Sequence, residues 1–157
     1  MYKNRKAFSL MELSIVILII GIITTGITQS SKLVNSFRLS SARNQTQNSP
    51  VNSTTGLIAW FESTSNSSFL DAETGNNLTV SSWNDINPQL SLKHNPIQLI
   101  PASRPVYTTS VINGLPALKF NGTSQYLEYA YNSDMNPSNF TLFVVAQPAA
   151  TPSAQKG

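Results

Sequence analysis

Lys6-Ala7-Phe8-Ser9-Leu10-Met11-Glu12-Leu13, with the apolar run from Ser14 to Ile27 behind it, decides how this chain is organised. Between Phe8 and Ile27 the only charge is that of Glu12. About 20 residues at 1.5 Å each make a helix of about 30 Å, the thickness of a bilayer's hydrocarbon core, so the stretch predicts a membrane-spanning helix over residues 8–28. Lys3, Arg5 and Lys6 precede it. Cationic flanks stay on the cytoplasmic side, which places the rest of the chain outside. Glu12 is the anomaly, because a carboxylate in such a span costs about 2.5–3.5 kcal/mol on insertion scales. It calls for a counter-charge.

Two ordinary explanations account for less. A secretory signal peptide needs a small-residue cleavage site behind its apolar core, and Thr25-Gly26-Ile27-Thr28 lacks an Ala-x-Ala pattern. A plain signal anchor leaves Glu12 unexplained.

A basic leader, a small residue and then Phe-Ser-Leu-Met-Glu-Leu resemble the class III leader and first helix of type IV prepilins and of type II secretion pseudopilins. The resemblance covers roughly the first 30 residues. It implies that a membrane peptidase cuts between Ala7 and Phe8 and N-methylates Phe8. It also implies that Glu12, fifth in the mature chain, pairs during assembly with the terminal amine of a neighbouring subunit. Such a pair offsets part of the desolvation of both charges. The chain departs from the family in having Ala7 where glycine is usual, which bears on the efficiency of cleavage.

Charge is divided unevenly. Residues 1–50 carry six basic groups and one acidic group, whereas 51–157 carry four basic and six acidic groups. The exported part is therefore weakly acidic and lacks the clustered basic face of a nucleic-acid footprint. Charged residues make up only 11% of the chain, and Ser, Thr and Asn are abundant, as in secreted surface proteins. No cysteine is present, so disulfide and thiolate-metal schemes are excluded.

Beyond the span, Ile27, Leu33, Val34, Phe37 and Ala42 recur at helical spacings, which predicts that the helix continues to about Asn48 with this stripe against a domain or neighbouring subunits. Pro50 ends it, within a polar linker at 49–55. From Gly56 the pattern becomes short β-type runs: Leu57–Phe61, Leu78–Val80, Ser82–Trp83, Val106–Tyr107, Ala117–Phe120, Tyr126–Tyr129 and, most apolar of all, Phe140–Ala146. Turn signals at Asn113-Gly114 and Asn121-Gly122 separate some of them, as in an antiparallel sandwich. The tail 148–157 reads as disordered.

In order, Gly56-Leu-Ile-Ala-Trp-Phe, Asp71…Gly75-Asn76-Asn77, Ser82-Trp83-Asn84-Asp85, Arg104-Pro105-Val106-Tyr107, Asn113-Gly114-Leu115-Pro116-Ala117-Leu118-Lys119-Phe120-Asn121-Gly122, Tyr126-Leu127 and Phe140–Val145 resemble the opening half of a laminin-G-like, concanavalin A-like jelly roll. The resemblance implies an incomplete sandwich over 56–147 that binds glycan or protein. A strand as apolar as Phe140–Ala146 belongs at the centre of a sheet, so the domain is expected to be cut short, completed by a partner's strand, or a smaller variant.

Chemistry is sparse. His94, the single histidine, lies in Lys93-His94-Asn95-Pro96, a context that predicts an exposed loop side chain. Asp71, Glu73 and Asn76 surround a Gly turn and offer oxygen ligands of the type Ca²⁺ takes, without EF-hand spacing; a solvated turn is the ordinary reading. Trp83, with Tyr126, Tyr129 and Tyr131, is a candidate sugar-stacking platform, whereas Trp60 reads as core. No paired carboxylates suit glycoside hydrolysis, so no enzyme is expected. Six Asn-x-Ser/Thr sequons follow from composition.

The expectation is an α+β chain: leader 1–7, a helix over 8–48, and an antiparallel jelly-roll-like sandwich. It is inserted once in the inner membrane with its C-terminal domain outside, is cut by prepilin peptidase, and joins other pilin subunits in a pilus or pseudopilus. A membrane-anchored binding module that never polymerises is the alternative.

Overall fold

The computed structural model describes residues 9–130 and 132–148. Leu10–Gln47 forms one continuous helix, α1, of 38 residues and thus about 57 Å. Ser9 caps its start with extended backbone, and Asn48 closes its end by donating its N–H to Asn44 O at 3.1 Å. Pro50 follows at the head of a 3₁₀ turn, Pro50–Ser53, where its lack of an N–H is harmless.

The two halves of α1 meet different surroundings. From Leu10 to Ile23 every large apolar side chain is exposed, Leu10 at 87% and Ile17 at 62% among them, so none of the described protein covers this half. It is long and apolar enough to cross a membrane. In the second half, Asn35, Leu39, Ala42, Arg43 and Thr46 are half-buried at helical spacing and face the domain. Leu33, Val34 and Phe37, expected in that role or against neighbours, stay outside at 59%, 46% and 65% exposure.

The domain holds a three-stranded antiparallel sheet, β1 (Leu78–Thr79), β2 (Val106–Ile112) and β3 (Leu115–Lys119), in that spatial order. β2 and β3 form a hairpin with Tyr107 opposite Leu118 and Ile112 opposite Leu115. Between the latter pair Asn113 and Gly114 both have positive φ, 53° and 78°, as a tight two-residue turn of the primed type requires. An irregularity between Thr108 and Ile112, where Ser110 has φ 57°, breaks the register. Isolated bridges join Ser82 to Ile97 and Ile97 to Glu128.

Phe69, Val80 and Tyr107 form the buried core, with Trp83 and Leu118 packed on it. The expected jelly roll is, among the described residues, this small sheet. Leu57–Phe61 and Phe140–Ala146 form no strand, and Tyr126–Tyr129 contributes only the Glu128 bridge. Apolar β-branched and aromatic runs become strands when a neighbour supplies hydrogen bonds and a second layer buries one face. Phe140–Val145 has neither here, with Phe143 91% and Val145 89% exposed.

Candidate functional site

Two polar constructions stand out, one at the mouth of α1 and one inside the domain. At the mouth, Ser9 Oγ accepts from Met11 N at 3.3 Å, and Glu12 Oε2 accepts from Ser9 N at 2.8 Å. Together they form a reciprocal capping box. The pattern Ser9-x-x-Glu12 is the signature of that motif, so sequence reasoning that sought only an external counter-charge missed a partner three residues away. The carboxylate also lies at the positive end of the helix dipole. One oxygen, Oε1, receives no hydrogen bond from the described residues. Further along α1 hydroxyls bond to their own helix: Thr24 Oγ1 to Ile20 O at 2.9 Å, Thr25 Oγ1 to Gly21 O at 2.8 Å and Ser30 Oγ to Gly26 O at 3.0 Å. Such back-bonding satisfies the protons of these hydroxyls without water.

Inside the domain, Asp85 is 3% exposed and serves as a hub. Its Oδ1 accepts from Trp60 N and Asn87 N, each at 2.9 Å, and its Oδ2 accepts from His94 N at 3.2 Å. Its own N–H donates to Asn95 Oδ1 at 2.8 Å. Asn87, fully buried, donates Nδ2 to Leu57 O at 2.7 Å, and the Lys93 ammonium donates to Asn87 O. Three strandless segments are thus tied by side chains where a ladder would otherwise do it.

His94 is buried at 2% exposure, which corrects the expectation of an exposed loop residue. The backbone bond to Asp85 draws the loop inward, and the ring packs edge-on against Tyr129 with centroids 5.3 Å apart. His94 Nδ1 lies 3.5 Å from Asp85 Oδ2 without making a hydrogen bond, and Nε2 is also unpartnered. The imidazole has no oriented acceptor for its protons and serves as packing.

The calcium candidates are dispersed over structural tasks. Glu73 Oε1 accepts from Ser81 Oγ at 2.6 Å and Oε2 from Ser81 N at 3.1 Å. Asn76 Oδ1 accepts from Thr109 N at 3.1 Å and Thr109 Oγ1 at 3.0 Å, fastening the turn to β2. Asp71 is exposed at the head of the 3₁₀ turn Asp71–Glu73. Among the described residues no group of three or more His, Asp or Glu side chains is placed to hold a metal ion. Trp83 lies in the aromatic cluster, its ring 5.6 Å from that of Phe61 and 5.8 Å from that of Phe69. It is half-buried, with Nε1 donating to Glu62 O at 3.4 Å. Tyr126 is 44% exposed, and Tyr131 lies outside the described residues.

Residues 2–28 match the prokaryotic N-terminal methylation motif. No curated protein and no solved structure matches the chain. The methylation motif is of the prepilin type, and it encloses the capping box and the exposed half of α1. It implies processing by a prepilin peptidase and fits membrane anchoring. The expected cleavage pair, Ala7 and Phe8, falls within the match and outside the described residues.

Proposed function

We propose that the chain is a prepilin-like filament subunit, cut between Ala7 and Phe8, methylated at Phe8, and assembled through α1 after leaving the membrane. One observation supports this reading: the methylation motif covers residues 2–28, and within it Glu12 stands at the mouth of a bare apolar helix with one carboxylate oxygen that no described residue hydrogen-bonds. Glu12 Oε2 holds the Ser9 N–H of its own chain, and Oε1 is left to accept from the ammonium that cleavage creates on a neighbouring copy. In an apolar filament core that pairing fixes the register of one subunit against the next, since a misplaced copy would bury both charges unpaired.

On this reading the domain is displayed outside, where it meets a glycan or protein. That part rests on the laminin-G-like resemblance. Trp83 is a poor candidate for it because its ring is packed against Phe61 and Phe69.

Intact-mass analysis of protein recovered from cells tests the proposal. A chain beginning at N-methyl-Phe8 is expected. A chain that keeps residues 1–7 would identify a membrane-anchored module that does not polymerise, and a start near Gln29 would identify ordinary secretion; either result overturns the filament reading.

A further inference from the structure

The chain contains two Asn-Gly pairs, Asn113-Gly114 and Asn121-Gly122, in contrasting states. Asn121 is held fast: its Oδ1 accepts from Thr123 N, Ser124 N and Gln125 N at 3.0–3.1 Å, and its Nδ2 donates to Ser124 Oγ at 3.0 Å. Asn113 is exposed at the tip of the β2–β3 hairpin, and no described residue hydrogen-bonds its carboxamide. The next residue, a glycine, puts no side chain in the way of its own amide nitrogen.

The hairpin tip is also pressed on α1. A Cβ on Gly114 would stand 2.8 Å from Arg38 Nη1, and Asn35 Nδ2 donates to Ser110 Oγ at 3.1 Å. Asn113 and Arg38 line one open cleft of about 430 Å³ with Ser41, Gln45 and Leu115. No carboxylate among the described residues forms an ion pair with Arg38.

We propose that Asn113 is a self-modifying site whose product is an acid facing Arg38. The Gly114 nitrogen attacks Asn113 Cγ; the N–Cγ bond forms, the Cγ–Nδ2 bond breaks, and Nδ2 leaves as ammonia with the proton from the Gly114 nitrogen. Water then opens the succinimide at either carbonyl, giving aspartate or isoaspartate. Neither oxidant nor enzyme is required. The neutral hairpin tip becomes negative beside a guanidinium, which strengthens its hold on α1 in the aspartate form; the isoaspartate form adds a backbone methylene and loosens the turn. This holds whether or not the chain polymerises.

The full chain in detergent micelles, aged at neutral pH in ¹⁸O-water and mapped by peptide mass spectrometry, tests it. Heavy oxygen is expected at Asn113 several-fold faster than at Asn121, with the two rates converging in denaturant once the Asn121 network is gone. Equal rates in the folded protein, or labelling confined to Asn121, would overturn the site. The facing residue is read separately: Asn113→Asp should raise the unfolding midpoint when Arg38 is present and leave it unchanged with Arg38→Met. A rise of the same size in both backgrounds would remove Arg38 from the proposal.

Discussion

Replacing Glu12 by Gln keeps an acceptor oxygen for the Ser9 N–H and removes the charge. The two roles of this side chain therefore separate: Glu12→Gln should preserve the cap, while Glu12→Ala gives up about 0.5–2 kcal/mol of helix-end stability as well. Both variants should still be exported and cleaved, and both should fall sharply in the sheared-filament fraction relative to the membrane fraction on immunoblots. If Glu12→Gln enters filaments as the parent does, the unused oxygen has no ionic task. The same reasoning applies at Asp85, whose carboxylate accepts three backbone N–H groups in a buried place. Asp85→Ala orphans all three and should cost about 4 kcal/mol or more, in the range that unfolds a small domain. His94→Leu should cost no more than about 1.5 kcal/mol, because its ring nitrogens hold no hydrogen bonds and the backbone N–H that meets Asp85 remains. Urea unfolding of the two variants measures the contrast, and equal losses would mean that the imidazole does more than pack.

Docking of the domain on α1 depends on a few contacts of mixed character. Arg43 Nε donates to Thr64 O at 2.8 Å, and its charge also acts on Tyr107, the buried tyrosine of β2. Burial raises the Tyr107 phenol above its ordinary 10.0, and the Arg43 guanidinium opposes the rise without cancelling it. A phenol with a folded pKa above its unfolded one stabilises the fold fully below about pH 10; the contribution is lost as pH climbs through and beyond that value. Alkaline titration of unfolding stability should therefore fall more steeply for the parent than for Tyr107→Phe. Coincident curves would show that Tyr107 ionises as freely in the fold as out of it. At the far end of the same hairpin, Gly114 has φ 78°, and a Cβ there would meet the end of the Arg38 side chain at 2.8 Å, which must shift. Gly114→Val should cost about 1–3 kcal/mol, from backbone strain together with displacement of the guanidinium.

What could be read from the residues divides along local and non-local lines. Helix α1 was legible because about 20 nearly charge-free residues have few alternatives, and the hairpin turn because Asn113-Gly114 suits positive φ at both positions. The capping box is equally local, spelled by Ser9 and Glu12 three residues apart. The Asp85 hub was not legible: it joins Trp60, Asn87 and His94, and the segment around His94 has the composition of an exposed loop. The strand expectation for Phe140–Ala146 followed side-chain preference alone, and preference does not supply the neighbouring strand. In the whole molecule this run therefore stands as an uncharged apolar surface, since no Asp, Glu, Lys or Arg lies between Met135 and Pro148. Exposed runs of this composition pair with other chains, so the purified protein should self-associate through it. Phe143→Lys with Val145→Lys replaces two side chains that are 91% and 89% exposed. Light scattering should fall, while stability stays within about 0.5 kcal/mol per site, as for surface substitutions that touch nothing. A loss on the scale of a core truncation, about 3 kcal/mol or more, would mean instead that the run is buried by the chain's own domain in solution.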